Sequence, residues 1–199
     1  WRTMLVVGYN VIRIGDFTQA ERQEYRRAAA EVASGIFSSR DLSVHDVELY
    51  RIEGSPSQDA DKQRYRFIND DNEGHQLMAA YSVSNWYFDV FFVEGIWDGS
   101  FGFVYGVNNP VDKQGDRSGI VIRRDGDTVN LGQTFAHETG HYLGLEHADE
   151  EDGCADTNPV DPDIDDNFIF SSSKRDSDVI TACQMLTMRK HGLVRTLTP

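Results

Sequence analysis

Apolar positions along the 199-residue chain fall into blocks of two different periods, and their succession orders the expected elements. Residues 3–14, TMLVVGYNVIRI, are dense in β-branched side chains and read as a buried strand. Thr18-Gln-Ala-Glu21 follows, a capping box in which hydroxyl and carboxylate each satisfy a backbone N–H left over at a helix start. Tyr25, Ala28, Ala29, Val32 and Ile36 then recur at helical spacing, predicting a long amphipathic helix to about Phe37 with this stripe in the core. Residues 44–52 read as a second strand, and residues 55–64, SPSQDADKQR, as a loop. Residues 73–83 fit neither period. Three more strands are expected at 87–93, 101–107 and 120–123, where aromatic and β-branched residues gather between Gly, Asn, Pro and Asp. A helix through 137–141 ends at Gly144, after which regularity falls away until Thr181-Ala-Cys-Gln184. This second capping box, with Ile180 and Met185 placed as a hydrophobic staple, starts a helix running to near Gly192.

The order of elements predicts an α+β fold: a mixed five-stranded sheet with two long helices, then a mostly irregular C-terminal subdomain ending in a helix. The length suits one domain over 1–199, with an N-terminal subdomain 1–144 and a C-terminal subdomain 145–199. No internal repeat or low-complexity linker interrupts it. No apolar run approaches the eighteen or so residues of a membrane span, and the first residues carry no basic-then-apolar signal, so no membrane partner is expected. A start at Trp1 is expected of a trimmed or mature fragment whose targeting segment lay upstream.

Charge narrows the classes further. A net charge of −14 argues against nucleic acid, whose phosphates require a basic surface. Much of the acidity gathers between Asp149 and Asp166, in DEEDGCADTNPVDPDIDD. Two readings stay open there, a solvated acidic loop or a calcium (Ca2+) site, and the spacing is not that of an EF-hand. A monomer is expected.

The segment HETGHYLGLEH, from His137 to His147, holds three of the six histidines. His137 and His141 are four apart on a helix, about 40° apart around its axis, so both imidazoles can reach one cation. Glu138 lies about 100° from His137, too far round for an equivalent ligand but able to act on water beside the metal. Gly144 accepts the left-handed backbone that ends a helix, which would swing His147 back as the third ligand. Three neutral imidazoles and one open position form the donor set of a hydrolytic zinc (Zn2+) site. His45, His75 and His191 lie outside any such cluster and read as solvent-exposed or helix-end residues.

HETGHYLGLEH resembles the extended zinc signature of the metzincin clan of metalloproteases. The longer segment DTVNLGQTFAHETGHYLGLEH is similar to the active-site helix of short bacterial metzincins. GCADTNP is similar to the cysteine-containing DTP region of the pappalysin branch, with Asn158 intervening before Pro159. The resemblance implies a metzincin-like catalytic domain, zinc on His137, His141 and His147, and Glu138 as general base. It implies a secreted zinc-dependent endopeptidase acting on a peptide or protein laid along an edge strand, for which residues 101–107, FGFVYGV, are the candidate. In an exported protein, Cys154 and Cys183 would bridge the acidic loop to the C-terminal helix; two buried free thiols are the alternative.

The chain also departs from the clan. Residues 167–172, NFIFSS, are similar to the methionine turn beneath the metal, but Ile169 stands where methionine is expected, and Ser171 where some branches place a tyrosine. Met185 is the other candidate for the turn, although Met185 and Met188 fall inside the expected C-terminal helix. The specificity walls are expected after Ile169, in SSSKRDSD, with Lys174 and Arg175 in a solvated loop. Two other functions share these residues: a metzincin-like binding or targeting module with structural zinc, and a zinc amidohydrolase acting on a non-protein amide.

Overall fold

The computed structural model of the chain describes residues 4–15, 18–52, 64–85, 87–105, 118–150, 153–157, 164–172 and 177–197. In chain order the elements are β1 (Met4–Ile14), α1 (Gln19–Arg27), a π-helical segment (Ala28–Ala33), α2 (Ser34–Ser38), β2 (Leu42–Ile52), β3 (Phe67–Ile68) and α3 (Asp71–Tyr81). There follow β4 (Phe88–Val93), β5 (Gly95–Ile96), β6 (Gly102–Tyr105), β7 (Gly119–Arg123), α4 (Thr128–Tyr142), α5 (Ala182–Arg189) and β8 (Arg195–Leu197).

The five expected strands form the main sheet in the order β2-β1-β4-β7-β6, parallel throughout except for β6, which pairs antiparallel with β7 at the edge. Parallel strands inside a sheet are covered on both faces, and β4 accordingly reads FDVFFV and is buried at every position. Its side chains alternate between two cores. Phe88, Val90 and Phe92 face a cluster that includes Tyr25 and Phe37 of the first helix, Leu131 and Phe135 of α4, and Met185 and Met188 of α5. Phe91 and Val93 face a second cluster with Leu77 and Met78 of α3.

The first helix starts as the sequence predicts: Glu21 N–H donates to Thr18 Oγ1 at 3.3 Å, and Thr18 N–H donates to Glu21 Oε2 at 2.7 Å. It reaches Ser38, but Ala28–Ala33 widens into a π-helical segment beside α4. A Cβ at Gly132 of α4 would come within 2.4 Å of Val32 Cβ and 2.7 Å of the Ala28 carbonyl, so only glycine lets the two helices meet here. The unassigned stretch 73–83 proves mostly helical. Asp70 caps α3 by accepting from Glu73 N–H at 2.8 Å, while Glu73 accepts from Asn69 N–H at 2.8 Å.

A sixth strand joins the sheet. β8 pairs antiparallel with Met4, Leu5 and Val6 of β1, the stretch that β4, starting its pairing at Tyr9, leaves open. The second capping box is present, with Gln184 N–H donating to Thr181 Oγ1 at 3.2 Å and Thr181 N–H to Gln184 Oε1 at 3.0 Å. Ile180 and Met185, the staple pair, are both buried. Most of the loop 55–64 lies outside the described residues. No described helix is long and apolar enough to cross a membrane.

Candidate metal centre

Both ends of α4 are determined locally. Asp127 caps the start, its carboxylate accepting from Val129 N–H at 2.8 Å and Asn130 N–H at 3.3 Å. At the other end Gly144 takes φ +95°, Gly144 N–H donates to the His141 carbonyl at 2.9 Å, and Leu145 N–H to the Gly140 carbonyl at 3.0 Å. This pair of bonds is the Schellman closure, and the glycine supplies the left-handed residue it needs. The chain therefore reverses where the sequence predicts and returns His147 to the helix face carrying His137 and His141.

The three imidazoles converge. His137 Nε2 lies 3.0 Å from His141 Nε2, and the ligand atoms of His137, His141 and His147 all lie within 4.8 Å of one another. Each helical histidine is oriented through its other nitrogen, His137 Nδ1 donating to the Phe168 carbonyl at 3.1 Å and His141 Nδ1 to the Leu145 carbonyl at 2.8 Å. With the proton on Nδ1, both Nε2 atoms present lone pairs to the same point. Two acceptors 3.0 Å apart repel unless a cation lies between them, so the arrangement fits a metal. Burial, reinforced by His141, pushes the His137 pKa down to about 3, and burial also lowers that of His141. Both rings are neutral, as ligands must be.

Glu138 lies beside the sheet edge and lines the same cleft as the three histidines. It is buried, and burial raises its carboxyl to about 8. The backbone of β6 runs close beside it: a Cβ at Gly102 would stand 2.8 Å from Glu138 Cγ. A cleft of about 890 Å³ opens here, with β6 residues Gly102, Phe103 and Val104 on one side and Gln133, His137 and Glu138 of α4 on the other. Phe101, also in its wall, carries the Arg123 guanidinium 4.4 Å above its ring.

The segment similar to the methionine turn packs behind the helix. Ile169 is fully buried, its Cδ1 2.8 Å from where a Gly140 Cβ would be, and its carbonyl accepts from Ala148 N–H at 3.1 Å. Met185 and Met188 are buried within α5, as their spacing predicts. Ser171 lines the cleft and is held by Asp149, to which its N–H donates at 2.9 Å. Ser172 joins it in the wall, while Lys174 and Arg175 lie outside the described residues. Cys154 and Cys183 are bridged, joining the acidic stretch to α5. Among the described residues no three carboxylates of 149–166 converge as a calcium site would require; part of that stretch lies outside them.

Of the remaining histidines, His75 is exposed on α3 and the His45 side chain lies outside the described residues. His191 follows α5 as a helix-end residue but is not solvent-exposed: it is 4 % exposed, packed against Tyr142 at 5.8 Å between ring centroids. Sequence reasoning missed Gly102 and the two carbonyls that orient the histidines. A glycine inside an aromatic strand does hint at close backbone approach, whereas carbonyl partners leave no sequence signal.

Residues 97–189 match the model of metallo-peptidase family M12B, reprolysin-like. The chain resembles the metzincin-type zinc metalloproteases. Its fold is similar to the crystal structure of metalloproteinase-II from Bacteroides fragilis, with a TM-score of 0.54 at 13 % identity over 92 % of this chain. The chain spans 52 % of that metalloproteinase's length. A search of curated proteins finds no match.

Proposed function

We propose that the chain is a zinc-dependent endopeptidase, with residues 1–199 forming one catalytic domain divided at the end of α4. The observation that carries this reading is the convergence of three histidine nitrogens beside a buried carboxylate at the floor of a cleft. His137, His141 and His147 would hold the zinc, a donor set that leaves one position open. Zinc, when bound, supplies Lewis acidity that makes water more acidic and polarises a carbonyl.

The chain's own residues do the rest. Glu138 accepts the proton of the attacking water and returns it to the departing amide nitrogen. Among the described residues β6 has a free edge beside the cleft, where an extended peptide adds as a further strand through its backbone. Proteolysis is favoured over a binding module because a purely structural zinc site has no use for a carboxylate at an open position. The Cys154–Cys183 bridge suits an oxidising compartment and supports secretion.

The test is cleavage of a peptide library by the wild-type chain and by Glu138→Gln, each with and without a zinc chelator. Wild-type cleavage should stop on chelation. Glu138→Gln should keep its zinc while its rate falls by about 10²–10⁴-fold, the usual contribution of a positioned general base. Cleavage unchanged in that variant would remove Glu138 from the mechanism, and no cleavage by the wild type across the library would defeat the endopeptidase reading.

A further inference from the structure

The backbone of β6 touches the side chain of Glu138. Gly102 pairs with Ile122 of β7 where the edge strand crosses α4, and a Cβ added to it would lie 2.8 Å from Glu138 Cγ and 3.0 Å from Oε1. Non-bonded carbons pack at about 3.5–4.0 Å, so no side chain fits between strand and glutamate. Among the described residues no side chain or backbone amide donates a hydrogen bond to the Glu138 carboxylate. Among the described residues, the observed constraint on where it stands is packing against the strand at Gly102.

We infer that Gly102 is a positioning residue, which lets the edge strand press on Glu138 and sets by packing where its carboxylate stands relative to the three histidines. The catalytic consequence rests on the proposed endopeptidase reading; the contact itself does not. A strand that both aligns the substrate backbone and holds the general base keeps the two in register, and small displacements of such groups are costly in rate. An added methyl at residue 102 leaves its backbone N–H and C=O in place, so substrate binding is largely spared while the base is displaced.

The experiment compares the wild type, Gly102→Ala, Glu138→Ala and the double variant, each loaded with zinc and its metal content measured. Gly102→Ala should lower the melting temperature clearly when Glu138 is present and much less when residue 138 is alanine. Turnover of a fluorogenic peptide by zinc-loaded Gly102→Ala should fall by about ten- to a hundredfold in kcat with KM nearly unchanged. A Gly102→Ala variant that fails to fold while the double variant folds supports the contact equally. The inference is overturned if the methyl costs the same in both backgrounds, or if neither the Gly102→Ala variant nor the double variant folds. Either result assigns the need for glycine to the Val121 carbonyl, 3.0 Å from the same Cβ position. An unchanged kcat also overturns it. If the wild type cleaves no peptide, the endopeptidase reading fails while the melting comparison still decides the contact.

Discussion

Histidine plays opposite parts at two places in this chain, and burial explains both. At the candidate metal centre it keeps His137 and His141 neutral with their lone pairs turned inward. At His191 it seals a ring against Tyr142, Nδ1 accepting from Leu193 N–H at 3.3 Å, and lowers its pKa below the usual value. The folded chain thus resists protonation of His191, whereas the unfolded chain takes up that proton from about pH 6.5 downward. Proton uptake by the unfolded chain lowers stability as pH falls through this range. His191→Phe keeps a ring in the site and removes the titration, so its melting temperature should decline less steeply than the wild type's between about pH 7 and 5. Parallel profiles would show that His191 does not titrate on unfolding. The burial was not legible beforehand, because Lys190 and Gly192 beside it read as a helix end and its covering ring comes from another helix.

Among the elements, those with a strong local signal appear where the sequence places them. The capping boxes at Thr18 and Thr181 and the stop at Gly144 are each written within a few adjacent residues. Elements that depend on neighbours were harder to read. α3 buries the adjacent residues Leu77 and Met78, too short an apolar pattern to show a period, and β8 exists because β1 has an unpaired stretch to offer. The π-helical segment answers the close approach of Gly132, which no pattern in an alanine-rich helix announces. A test at this scale is Gly144→Ala. At φ +95° an added Cβ costs about 1–2 kcal/mol, which in a chain of this size lowers the melting temperature by roughly 2–8 °C. Because the same turn presents the Leu145 carbonyl to His141 and returns His147, zinc content after dialysis should also fall. Wild-type melting would show that the reversal does not depend on glycine.

Across the whole molecule, the C-terminal part shares the main core through Phe168, Ile169, Met185 and Met188 and is tied down further by a few specific links. The Cys154–Cys183 bridge closes a separation of 29 residues, Asn167 and Gln184 exchange amide hydrogen bonds of 3.1 Å, and β8 docks on β1. Closing such a loop in the unfolded chain corresponds to about 3–4 kcal/mol in the chain-entropy picture. The Cys154→Ser/Cys183→Ser variant should lose stability of that order in urea unfolding, and alkylation of the wild type without reductant should leave its mass unchanged. Equal unfolding midpoints for variant and wild type would remove the bridge from the stability of this region.

By itself, the sequence determined the spacing that brings His137, His141 and His147 together, the helix ends that present them, the five principal strands and the acidic character of the chain, because each is set by spacing or composition within a short stretch. The tertiary structure decided what lies around the triad. It brings the Phe168 carbonyl to His137, Ile169 against Gly140, the edge-strand backbone at Gly102 against Glu138, and Tyr142 over His191. These contacts join residues far apart in the chain, and they follow from how helix, sheet edge and C-terminal segment pack together, which local periodicity does not encode.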